Sequence, residues 1–226
     1  MKSIIKYLIL LLTLNVCSQE QPNFSAVDSL YREDQFYAGI TYNVIQNKSP
    51  GISQGKFTPS FSFGFLRDMP VNKKRTYSIA IGLGYSINNF NQNIFINENN
   101  GNFTYSIANS QFDKNKQILH YIDLPIELRW RNSTPESHKF YRIYLGLKAS
   151  YLVYDRLNFE SIANDKSIIS NNDFNNFQYG TYISIGNNTI NLYAYYGLNS
   201  IYKSAFLNSE PLKLKTLNFG FMFYIL

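Results

Sequence analysis

The stretch Tyr77-Ser78-Ile79-Ala80-Ile81-Gly82-Leu83-Gly84-Tyr85-Ser86-Ile87-Asn88-Asn89 decides the fold. Tyr77, Ile79, Ile81, Leu83, Tyr85 and Ile87 alternate with Ser78, Ala80, Gly82, Gly84 and Ser86, and strict period two describes a strand with two unlike faces. In a water-soluble protein the polar face meets solvent and gains nothing from being small. Here it is small as well as polar, as expected of the crowded inside of a narrow barrel whose bulky face is turned to lipid.

Seven further stretches repeat the pattern. A first, about Gln35 to Ile45, sets Phe36, Ala38, Ile40, Tyr42 and Val44 against Gly39, Thr41 and Asn43; a second, about Lys56 to Arg67, sets Phe57, Phe61, Phe63 and Phe65 against Thr58, Ser60, Ser62 and Gly64. The Tyr77 stretch is third. The fourth, about Ile118 to Arg131, places Ile118, Ile122, Leu124, Ile126, Leu128 and Trp130 opposite Tyr121, Asp123, Glu127, Arg129 and Arg131. The fifth, about Phe140 to Tyr154, sets Leu145, Leu147 and Tyr151 against Arg142, Gly146, Lys148 and Ser150. Two arms around Gly186-Asn187-Asn188 form a hairpin, with Gln178, Gly180, Ser184, Asn191, Tyr193, Tyr195 and Gly197 on the polar parity. The last stretch, about Lys213 to Leu226, opposes Leu217, Phe219, Phe221 and Phe223 to Thr216, Asn218 and Gly220.

Connections after the second, fourth and sixth stretches are short (Asp68 to Thr76, Asn132 to Lys139, the Gly186 turn). The others are longer, notably Phe90 to Gln117 and Asp155 to Asp173, and their Asn, Ser and Asp content reads as solvated loop. Short turns on one side, long loops on the other and an even strand count predict an all-β fold: an eight-stranded antiparallel up-and-down transmembrane β-barrel of the outer membrane. A soluble barrel would bury its bulky face instead, but eight strands enclose too little space for so many Phe, Tyr, Ile and Leu. Gly39, Gly64, Gly82, Gly84, Gly146, Gly180, Gly197 and Gly220 all share the polar parity, where water would gain nothing from glycine. Tyr77, Trp130 and Tyr141 fall at turn-side strand ends, where an aromatic girdle would meet lipid headgroups. Asn218, Gly220, Phe223 and Ile225 are spaced like a terminal barrel-insertion signal that closes on an aliphatic pair rather than an aromatic.

Lys2 and Lys6 precede an apolar run from Tyr7 to Leu14, too short to span a bilayer and suited to a secretory signal. The expected organisation is a cleaved signal peptide over residues 1–18, a short periplasmic leader over 19–34 and a barrel domain over 35–226. Cys17 opens an alternative in which a lipidated thiol anchors the chain, although Val16 is bulky for that position. Otherwise the mature chain carries no cysteine and no disulfide. The net charge of +6 is spread along 226 residues, which argues against nucleic-acid binding. The expected partners are outer-membrane lipids, with other envelope proteins beside them.

The inward faces of the fourth and fifth stretches gather Asp123, Glu127, Arg129, Arg131, Arg142 and Lys148. In so narrow a lumen these charges are expected to pair across neighbouring strands as an ionic plug, with an ion-selective constriction as the alternative. Two histidines are present: His120 on the bulky parity and His138 in a short turn beside Glu136 and Ser137. Neither has a nucleophile arranged beside it on the external side, so no enzymatic activity is expected. No metal-ligand spacing, phosphate loop or cofactor fingerprint occurs, so neither metal nor cofactor is expected. Specific binding, if any, falls to the long loops, including Phe95, Phe103 and Tyr105.

The segment His120-Tyr-Ile-Asp-Leu-Pro-Ile-Glu-Leu-Arg-Trp130 resembles the Y-x-E-I-P-L-x-L-x-x strand of PorT-like outer-membrane β-barrels from Bacteroidota, and Leu145-Gly146 with Ile81 to Tyr85 and Phe219 to Phe223 fits the same family. The resemblance implies an eight-stranded outer-membrane barrel. It also implies a structural or accessory role in an envelope assembly linked to type IX secretion and gliding. A small porin-like transport or ligand-binding barrel is the alternative.

Overall fold

The computed structural model describes residues 32–55, 57–108, 114–132, 141–160 and 165–225. The expected signal, most of the leader, and the turn holding Glu136, Ser137 and His138 lie outside them. Among the described residues thirteen strands follow one another: β1 (Gln35–Gln46), β2 (Pro59–Pro70), β3 (Tyr77–Asn91), β4 (Ile94–Asn99), β5 (Asn102–Ile107), β6 (Lys114–Arg131), β7 (Tyr141–Glu160), β8 (Asp165–Ile169), β9 (Phe177–Asn187), β10 (Ile190–Gly197), β11 (Phe206–Leu207), β12 (Glu210–Pro211) and β13 (Lys215–Ile225).

Eight of them close a ring. Each of β1, β2, β3, β6, β7, β9, β10 and β13 pairs antiparallel with the next, and β13 returns to β1 with Phe36 opposite Ile225 and Gln46 opposite Lys215. This is the eight-stranded up-and-down barrel that the alternation predicts. Closure leaves no sheet edge, the condition for strands in hydrocarbon, where an unpaired N–H or C=O has no water to bond.

The two faces divide as the parity requires. Phe36, Leu83, Leu128, Leu147 and Leu192 are each more than half exposed, whereas Asp123, Glu127 and Arg129 on the other parity are at most 2% exposed. Tyr77 stands directly opposite Trp130, with the exposed Tyr141 at the same end of the ring, so the aromatic girdle sits at the turn side.

Three expectations are corrected. The hairpin turn is Asn188-Thr189, one step beyond the expected tripeptide: Gly186 lies within β9 opposite Asn191, and Asn188 takes the left-handed φ of 54°. The inward face is not uniformly small, since Tyr37, Tyr121, Tyr144, Tyr182, Tyr193, Tyr195 and Tyr224 are all buried in the lumen. Its glycines make room for these rings. A methyl group on Gly84 would overlap the Tyr37 hydroxyl, and one on Gly146 would overlap the ring of Tyr182, its register partner. Glycine weakens a strand by its lost side chain, and an aromatic laid across it restores the missing cover.

The third correction concerns the long loops, which fold into a cap instead of solvated chain. Asn100-Gly101, both at positive φ, turn β4 into β5, and this hairpin joins β11 and β12 in a four-stranded sheet. On β7 the register slips by one residue opposite His120 and Tyr121, so Val153 and Tyr154 both face outward. Beyond that bulge β7 continues to Glu160 with reversed parity, burying Asp155, Leu157 and Phe159 and pairing with β8. Ile94, Ile96, Tyr105, Leu207 and Ile201 from the cap pack with Ile45, Phe90, Leu119 and Leu214 from the barrel rim in one apolar core.

Candidate functional site

The charges that the sequence groups together form the lower half of the lumen, nearest the short turns. β6 presents Asp123, Glu127, Arg129 and Arg131 at every second or fourth position of one inward face, because its run of alternating residues is unbroken. Opposite them, β7 presents Arg142 and Lys148.

Diagonal pairing between β6 and β7 accounts for one of these contacts. Lys148 Nζ on β7 lies 3.6 Å from Asp123 Oδ2 on β6. The register partners themselves are not opposite charges: Arg131 faces Arg142, Arg129 faces Tyr144, Glu127 faces Gly146, Lys148 faces Pro125 and Asp123 faces Ser150. The arginines of β6 find their anions elsewhere. Arg129 Nε donates to Glu127 Oε2 at 2.7 Å on its own strand, and its Nη1 reaches Asp68 Oδ1 at 3.0 Å. Arg131 Nη2 reaches Asp68 Oδ2 at 2.9 Å, and its Nε lies 3.4 Å from Glu33 Oε1.

Asp68 and Glu33 are thus central to the cluster, and the sequence reading leaves both out by assigning Asp68 to a turn and Glu33 to the leader. Both are fully buried. Asp68 also accepts Ser78 Oγ at 2.7 Å and the Glu33 backbone N–H at 3.3 Å, while the Glu33 carbonyl accepts Arg129 Nη1 at 3.3 Å. The signal was present in the parity, since Asp68 extends Ser60, Ser62 and Gly64 and Glu33 extends Gln35, Tyr37 and Gly39.

Tyrosines complete the site. Tyr182 and Tyr224 donate their hydroxyls to Glu127 Oε1 at 2.8 and 3.1 Å. The Arg129 guanidinium lies 4.7 Å over the Tyr144 ring, and Arg142 stands near the rings of Tyr144 and Tyr224. Ser150 donates to Asp123 Oδ1 at 2.5 Å, and Lys148 Nζ lies 4.5 Å over the Tyr195 ring. Four acids (Glu33, Asp68, Asp123, Glu127) thus meet four bases (Arg129, Arg131, Arg142, Lys148), and the buried set is formally neutral. Two voids of about 20 Å³ flank Lys148, each with room for about one water molecule.

The cap packs over the upper half of the lumen. Tyr202 stacks on Phe174 with centroids 4.8 Å apart and meets Tyr105 edge-on at 5.5 Å. Gln117 Nε2 donates to the Tyr202 hydroxyl at 3.2 Å, and the Tyr105 hydroxyl donates to Asp173 Oδ2 at 2.9 Å. Burial pushes the Tyr202 hydroxyl up to about 12 and raises that of Tyr105 as well. Tyr105 and Phe95 are therefore cap residues rather than an open platform, Phe95 lying edge-on to Phe159 at 4.8 Å.

His120 lies outside the lumen. Its Nδ1 is 2.7 Å from the Tyr85 hydroxyl and its ring meets Tyr154 edge-on. No group of three metal-ligating side chains occurs among the described residues.

A family model described as the outer membrane protein beta-barrel domain matches residues 17–203. No curated protein and no solved structure gives a match.

Proposed function

The protein is an outer-membrane β-barrel, a member of the outer membrane protein beta-barrel domain family, and from that premise we propose that it is a non-conducting, non-catalytic barrel serving as a structural or accessory subunit of an envelope assembly. The observation that carries this reading is the filling of the lumen. A neutral ionic cluster occupies the turn side and an apolar cap occupies the loop side, and this filling supports a lumen that does not pass solute. Opening that path would separate charges that only each other's company makes tolerable away from water. What remains for function is the outer surface: the cap, the short turns and the lipid-facing wall.

The resemblance of residues 120–130 to PorT-like barrels supports an assembly linked to type IX secretion and gliding. The competing reading, a small porin-like transport or ligand-binding barrel, requires a route through Asp68, Arg129 and the cap core. Affinity purification of the tagged full chain from native membranes tests the assembly reading. A stoichiometric partner is the expected result. Recovery of the barrel alone after mild cross-linking would contradict it.

A further inference from the structure

On the loop side, an open groove of about 630 Å³ runs beside β13, lined in part by Lys203, Lys213, Lys215, Asn47, Asn199 and Phe206. No acid is among its lining residues, and none of the three lysines forms an ion pair among the described residues. Two surface cations elsewhere do have acidic partners: Lys114 pairs with Glu160, and Arg67 with Asp34. Three ammonium groups around a groove with asparagine amides and no lining acid suit an anion with several oxygens.

A second recess lies on the same seam of the wall. Ala194 faces outward on β10 between larger neighbours, and with Ile183, Leu192, Phe219 and Phe221 it forms an apolar notch of about 410 Å³. The register connects the two recesses. Ala194 pairs with Phe219 and Tyr196 with Leu217, and Lys215 follows two residues nearer the loops on the same outward parity. Lys215 Nζ lies 5.8 Å over the Tyr196 ring, at the upper edge of the notch. Four residues of strand from Phe219 to Lys215 span roughly 13 Å, a separation that an acylated headgroup bridges with ease.

We propose that this seam binds a phosphate-bearing, acylated lipid of the outer leaflet, with the phosphate held by Lys203, Lys213 and Lys215 and an acyl chain in the Ala194 notch. Cation above and apolar notch below match one amphiphile along the membrane normal, whereas free phosphate would use only the upper half. The site is on the outside of the ring and does not depend on whether the lumen conducts. A bound lipid would be fixed on one side of the barrel and would give that side a distinct surface to any neighbour.

Native mass spectrometry of the detergent-purified full chain, titrated with purified lipid A, tests this. One tightly held lipid per barrel is expected. Changing the three lysines together (K203Q, K213Q, K215Q) should weaken retention by roughly tenfold or more, since each lysine near an anionic lipid adds to the attraction. The arginine set (K203R, K213R, K215R) should retain it. A194L, which fills the notch without touching the lysines, should also weaken it. All these side chains lie outside the lumen, and an unchanged thermal unfolding midpoint in each variant confirms that the barrel is intact. Equal retention by the wild type and the glutamine set, or by the wild type and A194L, would overturn the proposal. Displacement of the lipid by millimolar inorganic phosphate would overturn it too, showing a site for free phosphate instead.

Discussion

The two halves of the lumen are filled by opposite means. On the turn side, eight charged residues interlock with tyrosine rings, and all but Glu33 stand on strands of the ring itself. On the loop side, aliphatic and aromatic groups from the connecting segments close over the rim. The difference lies in how each filling is tied to the barrel. The ionic half cannot leave without unfolding the strands that carry it. The cap is attached through its loops, and local opening without loss of the ring is the expected behaviour of such a unit.

The largest expected effect comes from breaking the ionic half. Arg129→Ala would strand Glu127 and Asp68 as buried carboxylates short of a partner, a change that typically costs about 3–5 kcal/mol. Urea unfolding in lipid vesicles should show the loss as a fall in the stability of the whole ring. The matching cut in the cap, Ile96→Ala, removes a side chain that is 1% exposed. Its cost should be about 2–4 kcal/mol, felt locally. Limited proteolysis should cleave the cap faster while the ring's own unfolding midpoint stays put. If both substitutions lowered that midpoint equally, the halves would not be separable.

A smaller effect tests the pairing of glycines with tyrosines. Gly146→Ala pushes a methyl group into the Tyr182 ring and should cost about 1–3 kcal/mol. Combined with Tyr182→Ala, much of that cost should disappear, giving a coupling energy of about 1 kcal/mol or more in a double-mutant cycle. Additive losses would mean that Gly146 is there for another reason.

The smallest effect is alkaline. Tyr202 is held near 12 in the folded cap but would ionise near its ordinary 10.0 once released. The folded form keeps its proton longer, so this contribution is intact below pH 10 and fades as the pH rises toward 12. Cap proteolysis should therefore accelerate across that window, and Tyr202→Phe should flatten the dependence.

Where parity ran unbroken, the fold was legible. Each of the eight ring strands, the inward placement of Asp123, Glu127, Arg129, Arg142 and Lys148, and the lipid-facing wall follow from period two alone. The cap was hidden for two physical reasons. The bulge at Val153 and Tyr154 reverses parity, so the alternation from Asp155 onward reads as noise against the preceding strand. In β4 and β5 the strands are short, and Asn97, Asn99 and Asn102 around their turn mimic loop composition. Asn100-Gly101, with both residues at positive φ, was the available sign of a tight hairpin. The ionic partners Asp68 and Glu33 were missed because turn-like and leader-like surroundings ended the parity count too early. Their burial is fixed by the closed ring, which is a property of eight strands together and of no single stretch.

On the proposed reading the barrel is sealed from both sides. Single-channel recording of the purified full chain in a planar lipid bilayer tests it most directly. The sealed lumen predicts no conductance steps up to voltages that rupture the membrane. Stable ohmic steps that change in size or ion selectivity with Glu127→Gln or Lys148→Gln would contradict it and make the ionic cluster a pore.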